Sequence, residues 1–361
     1  MVQYDVLVVD DSVFMRKIIS DLIASEPEFR VAGTARNGRE AVELVKELQP
    51  HVVTMDVEMP EMNGLEALRA IMRERPTPVI MLSSLTQEGA AETIRALEWG
   101  AFDFVGKPSG SISLDLHKVK SLLIEKLHAA VKAKLGPPPG RPLPALGRRA
   151  DERPAASPRK QGSHSTVFSH IAAIGTSTGG PRALHQVLSA MPSDFPGPVV
   201  IVQHMPPNFT KSLAERLDSI SPLRVTEAAE GDVLESGRAY LAPGGFHMSI
   251  ARHGSNGYKV HLSREEPRGG HRPSVDVLFE SLLPLKELKR HIVLMTGMGS
   301  DGAKGMQALR KAGAVTTIAE SEETCVVYGM PRAAVNLDCV TDIVPLHGIA
   351  GKLMQAVGMR L

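Results

Sequence analysis

The chain has 361 residues, of which 43% are hydrophobic and 22% charged, and its 41 Lys and Arg residues nearly equal its 40 Asp and Glu residues. This composition is typical of a globular protein with room for two domains and a linker. It excludes membrane insertion, because no apolar run approaches the roughly 20 residues of a membrane-spanning helix, and the even balance of charge argues against a nucleic-acid partner.

The N-terminus and the cysteine content both indicate a cytoplasmic protein. The first residues lack the basic region and long apolar core of a secretory signal. Only Cys325 and Cys339 are present, which is too few for a disulfide or zinc framework. Reduced and mostly buried thiols in the cytoplasm are therefore expected.

Residues 1–134 alternate between strand-like and helix-like patterns. Apolar runs predict strands at 6–9, 31–34, 52–55, 79–82 and 102–105. Helical periodicity follows the first run and also covers 38–48, 64–74 and 88–99. Five such βα units predict an open parallel sheet with helices on both faces, in a flavodoxin-like α/β domain.

Polar side chains follow several of these predicted strands, at the edge where parallel sheets place their sites. Carboxylates on neighbouring strands repel one another unless a cation lies between them, and oxygen ligands suit Mg²⁺. A carboxylate can also accept a phosphoryl group, whose charge a lysine and a hydroxyl would stabilise. The set comprises Asp10, Asp11, Asp56, Ser83 and Lys107. Taken singly, Asp11 and Ser12 could merely cap a helix, and Lys107 could be a solvated surface charge.

These residues, with Pro108 after Lys107 and Val-Glu-Met-Pro after Asp56, make this half resemble the receiver domain of two-component response regulators. The resemblance implies that Asp56 takes phosphate from a sensor histidine kinase. It also implies that Mg²⁺ is held by Asp10, Asp11, Asp56 and the carbonyl of Glu58, and that Ser83 and Lys107 bind the phosphoryl group. The family's switching aromatic falls at Phe104, which lacks a hydroxyl and is expected to act by packing.

Residues 135–165 differ in kind, with seven prolines and six basic residues. Proline is excluded from helix interiors and central strands, so a mobile, partly extended linker is predicted. A basic tether could instead bind nucleic acid or an acidic partner, although it has no aromatic residue for base stacking. Residues 166–361 then form a second predicted domain.

An apolar run at 171–174 leads into Gly175-Thr-Ser177-Thr-Gly179-Gly-Pro, after which a helical pattern begins. Gly175, Ser177 and Gly179 fit the G-x-S-x-G turn that exposes a nucleophilic serine between a strand and a helix. The alternative is a helix cap, because Ser and Thr are good caps and Pro often occupies the first helical position.

Two further apolar runs are followed by candidate catalytic residues. The run at 199–202 leads into Gln203-His204, and the run at 292–295 leads into a glycine-rich loop that contains Asp301. If the three runs are parallel strands of one sheet, then Ser177, His204 and Asp301 lie at one edge, as a nucleophile, base and orienting acid require. Their chain order differs from that of the common hydrolase fold. Between these runs, 240–242, 247–250 and 258–261 are interpreted as short antiparallel strands, with a turn at Asn256-Gly257.

A dinucleotide site is the main alternative for the last of these strand ends. Gly297, Gly299 and Gly302 fit G-x-G-x-x-G, and Glu320 lies near the end of a strand predicted at 315–318. However, Asp301 would bring a negative charge to the pyrophosphate, at a cost on the order of kilocalories per mole. A purely structural glycine loop is the other interpretation.

Four motifs make the second half similar to the catalytic domain of the chemotaxis protein-glutamate methylesterase family, and the receiver-first order matches that family throughout. They are Gly-Thr-Ser-Thr-Gly-Gly-Pro, Gln-His-Met-Pro, His-Arg-Pro-Ser-Val-Asp at 271–276, and Thr-Gly-Met-Gly-Ser-Asp-Gly. The resemblance implies Ser177 as nucleophile, His204 as general base, Asp301 as orienting acid, and the N–H groups of Met298 and Thr178 as oxyanion hole.

The same resemblance implies that the substrates are glutamyl methyl esters, and also glutamines, on chemoreceptors. No cofactor is expected for the esterase. The unphosphorylated receiver is expected to cover the catalytic edge, and phosphorylation to free it. His271 lies in a family motif where substrate contact is one interpretation, whereas His247, His253 and His261 are interpreted as core or surface residues. A DNA-binding output is the main non-enzymatic alternative, because many receiver proteins regulate transcription.

Overall fold

The computed structural model of the chain describes residues 3–84, 86–107, 114–133, 165–255 and 257–359. The chain divides into two compact units, residues 1–143 and 144–361. The linker predicted over 135–165 lies outside the described residues except for Ser165, so its boundaries remain a prediction.

The first unit is a five-stranded parallel sheet in the order β2-β1-β3-β4-β5. This is the strand order of flavodoxin-like folds, and the prediction for this half is confirmed. The elements are β1 (Tyr4–Val9), α1 (Val13–Ala24), β2 (Phe29–Ala35), α2 (Gly38–Leu48), β3 (Val52–Asp56), α3 (Gly64–Glu74), β4 (Val79–Ser83), α4 (Gln87–Glu98), β5 (Asp103–Gly106) and α5 (Leu114–Ala130).

Local sequence signals explain where helices of the first unit begin. The Asn37 side chain accepts the Glu40 N–H at the start of α2. Asn63 and Glu66 form a reciprocal capping box at the start of α3, which satisfies two otherwise unpaired backbone donors. The central strands are buried on both faces and therefore appear in the sequence as continuous apolar runs.

The second unit is built on a seven-stranded parallel sheet in the order β14-β13-β12-β6-β7-β9-β8, with a separate two-stranded sheet of β10 and β11. Its elements are β6 (His170–Thr176), α6 (Gly180–Ser189), β7 (Val199–Gln203), α7 (Phe209–Ile220), β8 (Arg224–Glu227), β9 (Arg238–Leu241), β10 (His247–His253), β11 (Gly257–Ser263), α8 (Val275–Ser281), β12 (Lys289–Leu294), α9 (Ala303–Lys311), β13 (Thr316–Glu320), α10 (Met330–Asn336), β14 (Asp342–Val344) and α11 (Leu346–Ala356).

Strand β6 lies between β12 and β7 and pairs in parallel with both. The three apolar runs that the sequence places before Ser177, His204 and Asp301 are therefore adjacent strands of one sheet, as predicted. Because the strands are parallel, their carboxyl ends meet at one edge.

One strand assignment from the sequence is wrong. The run at 240–242 was expected to be antiparallel, but β9 pairs in parallel with β7 and β8 and extends the main sheet. Its side chains are buried, and short buried strands show no periodicity that reveals their direction. The antiparallel prediction is confirmed for β10 and β11. The turn predicted at Asn256-Gly257 includes Asn256, which lies outside the described residues.

Candidate active site and candidate phosphorylation site

Ser177 lies in the tight turn between β6 and α6. Its N–H donates to the carbonyl oxygen of Thr296 at 3.0 Å, and its own carbonyl accepts the N–H of Gly180 at 2.8 Å. The N-cap of α6 is Gly179, at φ 81°, and no side chain caps this helix. The Ser177 side chain therefore does not serve as a helix cap, and it is partly exposed at the sheet edge.

The imidazole of His204 contacts the carboxylate of Asp301 directly. His204 Nε2 lies 2.8 Å from Asp301 Oδ2, and the two side chains are only 7% and 8% exposed. Two residues 97 positions apart in sequence are thus joined across the ends of β7 and β12. This is the contact that a general base needs with the acid that orients its ring.

Asp301 accepts three more hydrogen bonds, all from the start of α8. The donors are the Ser274 hydroxyl at 2.9 Å and the backbone N–H groups of Val275 at 2.7 Å and Asp276 at 3.0 Å. Burial alone would raise the pKa of Asp301, but its contacts with His204 and with these N–H groups outweigh burial and lower the pKa to about 2. The carboxylate is therefore ionised at neutral pH and can stabilise a protonated His204.

Ser274 is a functional residue that the sequence reasoning missed. It is the N-cap of α8, and its N–H donates to Nδ1 of the buried His247 at 3.2 Å. His247 Nε2 lies 3.1 Å from the carbonyl oxygen of Glu266, so this histidine is held as a core residue, as expected. A serine followed by the helical apolar pattern of Leu278 and Phe279 is an N-cap signal and could have identified it.

The second ring nitrogen of His204 is the atom available for proton transfer. Nδ1 is buried and has no hydrogen-bond partner among the described residues. Since Nε2 is bonded to Asp301, Nδ1 would have to receive the serine proton, which reverses the roles of the two nitrogens in the chymotrypsin-type triad. The described residues include no hydrogen bond between Ser177 and His204, and catalytic contacts commonly tighten only when substrate binds.

Gln203, the last residue of β7, connects the backbones of the two residues. Its side-chain amide donates to the carbonyl oxygen of Ser177 at 2.9 Å and to that of His204 at 3.1 Å. The side chain is buried, and its Oε1 has no hydrogen-bond partner within the described part of the chain. Both donors of one amide therefore fix the spacing between the serine turn and the histidine.

The loop after β12 passes directly against Ser177. A Cβ added at Gly297 would lie 2.8 Å from the Ser177 Cβ and 2.4 Å from the Met330 sulfur, so a glycine is required there. The next residue, Met298, is partly exposed, and its N–H donates to no acceptor among the residues described. The loop thus brings an N–H group next to the serine turn, as an oxyanion hole requires.

The dinucleotide alternative fails at Glu320. This carboxylate is fully buried, where it accepts the Thr296 N–H at 2.8 Å and the Thr324 hydroxyl at 3.0 Å. Because the side chain is fully buried, a ribose hydroxyl could not reach it. Glu320 instead supports the loop that carries Gly297.

In the first unit, three carboxylates and one lysine meet at the carboxyl ends of β1, β3 and β5. Ligand oxygens of Asp10, Asp11 and Asp56 lie within 4.8 Å of one another. Lys107 Nζ lies 2.8 Å from Asp10 Oδ2 and 2.6 Å from Asp56 Oδ2, and its side chain is 20% exposed. The alternative that Lys107 is a solvated surface charge is therefore wrong.

Burial raises the pKa of Asp56 to about 6, against the lowering effect of Lys107. The neighbouring Asp10 adds to the rise. A bound divalent cation would relieve this repulsion, and a cluster of carboxylate oxygens is the donor set that Mg²⁺ prefers. The residues present therefore fit a magnesium site.

The other residues predicted for this site lie around the carboxylate cluster or cap a neighbouring helix. The Ser83 hydroxyl lies 3.1 Å from the Gly89 carbonyl oxygen, to which it donates. Ser12 caps α1 by accepting the Met15 N–H, as one interpretation expected. Glu58 is exposed in the loop after β3, and Phe104 is buried.

Comparison with known proteins agrees with both halves of this description. Residues 6–117 match the family model of the response regulator receiver domain, and residues 172–353 match that of the CheB methylesterase. The chain belongs to the CheB methylesterase family. The receiver-first order and the fold class predicted from the sequence are thereby confirmed.

Individual members of the CheB methylesterase family cover nearly the whole chain. A protein-glutamate methylesterase/protein-glutamine glutaminase from Geobacillus kaustophilus is 52% identical over 98% of both chains. One of the same name from Bacillus subtilis is 48% identical, again over 98% of each. The crystal structure of the Thermotoga maritima CheB methylesterase catalytic domain is 41% identical with a TM-score of 0.51, and the match covers 52% of this chain and 99% of that one.

Two findings concern the predictions made from hydropathy and cysteine content. Among the described residues, no helix combines the length and the apolar character needed to cross a membrane. Cys325 and Cys339 are both free thiols.

Proposed function

We propose that the chain is a phosphorylation-regulated serine hydrolase that demethylates glutamate methyl esters on chemoreceptors, releases methanol, and also deamidates receptor glutamines. The family relatives support both activities by name. The observation that carries the proposal is the contact of His204 with Asp301 beside the turn of Ser177. The relatives and this contact together favour hydrolysis over a DNA-binding output.

In the proposed mechanism, His204 Nδ1 takes the Ser177 proton while the serine oxygen forms a bond to the ester carbonyl carbon. Asp301, ionised at neutral pH, stabilises the resulting imidazolium. The N–H groups of Met298 and Thr178 are proposed to donate to the oxyanion.

Collapse of this intermediate breaks the bond to the methoxy group, which leaves as methanol with the proton from His204. Water, deprotonated by the same imidazole, then hydrolyses the acyl-enzyme, and Ser177 recovers its proton. A glutamine would follow the same path with ammonia as the leaving group. No step requires a cofactor in the second unit.

In the first unit, Asp56 is proposed to accept the phosphoryl group from a chemotaxis histidine kinase. Receiver domains are phosphorylated with the help of Mg²⁺, and here Asp10, Asp11, Asp56 and the Glu58 carbonyl would hold it. The cation would supply charge neutralisation for the incoming phosphoryl oxygens. Lys107 already contacts Asp56, and it would move its bond to the phosphoryl group, with Ser83 as second donor.

The regulatory part of the proposal is that the unphosphorylated receiver restrains the esterase and that charge added at Asp56 releases it. The enzyme would act in the cytoplasm on the signalling part of its receptors.

The test is methanol release from methylated receptor membranes, with and without a small phosphodonor and Mg²⁺. Ser177→Ala should abolish release, whereas Ser189→Ala, at an exposed position at the end of α6, should leave it unchanged. Asp56→Asn should keep basal release and lose activation. Methanol release by Ser177→Ala at the wild-type rate would exclude the proposed chemistry.

A further inference from the structure

The imidazole of His271 lies face to face with that of His204. The ring centroids are 3.8 Å apart and the planes differ by 3°. Aromatic pairs usually have centroids about 4.5–7 Å apart, so this contact is unusually close. In the same unit, His170 and His291 also stack, but their centroids are 5.3 Å apart.

A tight turn holds His271 in this position. Arg268 and His271 exchange both backbone hydrogen bonds, at 3.0 and 3.1 Å. The two residues between them, Gly269 and Gly270, have φ of 60° and 86°, the left-handed pair of a type I′ hairpin turn. The Arg268 guanidinium is bonded to both carboxylate oxygens of Glu280 in α8.

The same helix therefore fixes two neighbours of the His204 ring. The start of α8 holds Asp301, which bonds the ring edge at Nε2, and Glu280 further along α8 anchors the turn that carries His271. One in-plane bond at Nε2 leaves the ring able to tilt about that bond. A flat neighbour against its face removes this freedom.

We propose that His271 is a positioning residue for the catalytic base: its ring fixes the plane of the His204 imidazole, and with it the direction in which Nδ1 accepts the Ser177 proton. The inference rests on the proposed function of Ser177 and His204 and adds a residue to that site. It assigns His271 to alignment of the base and not to receptor binding.

The experiment measures two rates on the full-length chain: methanol release from methylated receptors, and covalent labelling of Ser177 by a fluorophosphonate. In labelling, the serine oxygen bonds to phosphorus, fluoride leaves, and His204 takes the proton, so the rate reports on the base without any receptor. His271→Ala should lower kcat and the labelling rate about tenfold or more, with KM changed less than about twofold. His271→Phe, which keeps a flat ring, should recover most of the loss.

A second variant moves the ring without removing it. Gly270→Ala adds a Cβ that meets nothing within 4 Å, so its effect comes from strain at positive φ. It should slow labelling, whereas Gly313→Ala, equally open at φ 84° after α9, should not. His253→Ala, exposed at the end of β10, serves as the control for loss of a histidine.

Several outcomes would overturn the assignment. A raised KM with unchanged labelling would make His271 a substrate contact. Equal losses in His271→Ala and His271→Phe, with wild-type melting curves for both, would show that the ring face is not what matters. Unchanged labelling in Gly270→Ala and His271→Ala would give His271 no role at all. Failure of the wild-type chain to label at Ser177 would instead remove the proposed function itself.

Discussion

The Gln203 side chain offers a sharp test, because its replacement should change activity and stability in different ways. Gln203→Met removes two hydrogen bonds, each contributing about 0.5–1.5 kcal/mol, for a loss of roughly 1–3 kcal/mol. It also removes the buried Oε1, whose missing partner costs about 1–3 kcal/mol. These two terms offset each other, but the part-buried His204 carbonyl also loses its partner, so the free energy of unfolding should fall by less than about 3 kcal/mol. The Ser177 carbonyl keeps its bond from Gly180.

The effect on catalytic activity is not offset in this way, because the variant loses the amide that bonds the carbonyl groups of both Ser177 and His204. A shift of a few tenths of an ångström to one ångström in such a site costs up to about 100-fold in rate. We expect kcat for methanol release to fall at least tenfold, while the free energy of unfolding measured with urea falls by less than about 3 kcal/mol. Gln307→Met is the control, since its amide donates to the carbonyl of Leu337 at the end of α10 and contacts neither Ser177 nor His204. Full activity in Gln203→Met, or a stability loss above about 3 kcal/mol, would refute this reasoning.

Three further substitutions test other contacts. Gly297→Ala should reduce methanol release more than tenfold, because the new Cβ would lie 2.8 Å from that of Ser177; an active variant would show that the loop yields. Ser274→Ala removes one of four hydrogen bonds to Asp301 and should lower kcat less than Asp301→Ala does, which parallel kinetics would check. Asp56→Asn should stabilise the first unit without Mg²⁺: with a pKa of about 6 against 3.8 unfolded, the ionised carboxyl costs up to about 3 kcal/mol above pH 6, and none below about pH 4. Melting curves of the two proteins should be measured across this range. If the stability difference between Asp56→Asn and the wild type does not shrink as the pH falls, the prediction is contradicted.

Most of the fold follows from the sequence because the central strands of the two large parallel sheets are short, apolar and buried. Helices α2 and α3 have the predicted bounds, while α4 begins and ends one residue earlier than expected. The direction of β9 could not be predicted, since it depends on which neighbours it meets. That pairing is set by the crossover connections of the whole unit.

Some residues of the candidate active site could be predicted from local sequence, and others depend on contacts between distant segments. Ser177 and His204 could be singled out because each directly follows a strand, and Asp301 because it lies in the loop after β12. Gln203 and His271 could not be assigned roles, because their contacts depend on how separate loops meet in space. The amide of Gln203 has two carbonyl partners that no sequence pattern specifies, and the stacking of His271 requires the anchored turn.

The central position of β6 has a consequence for how the enzyme becomes active during synthesis. Ser177 and His204 follow β6 and β7, and both strands are complete by residue 203. Strand β12, which pairs with the other side of β6 and precedes Asp301, ends only at Leu294. A nascent or shortened chain that lacks this strand and the loop after it would carry Ser177 and His204 without Asp301, the carboxylate that orients the imidazole. Hydrolytic activity should therefore be absent from a chain that ends before β12 and the loop of Asp301.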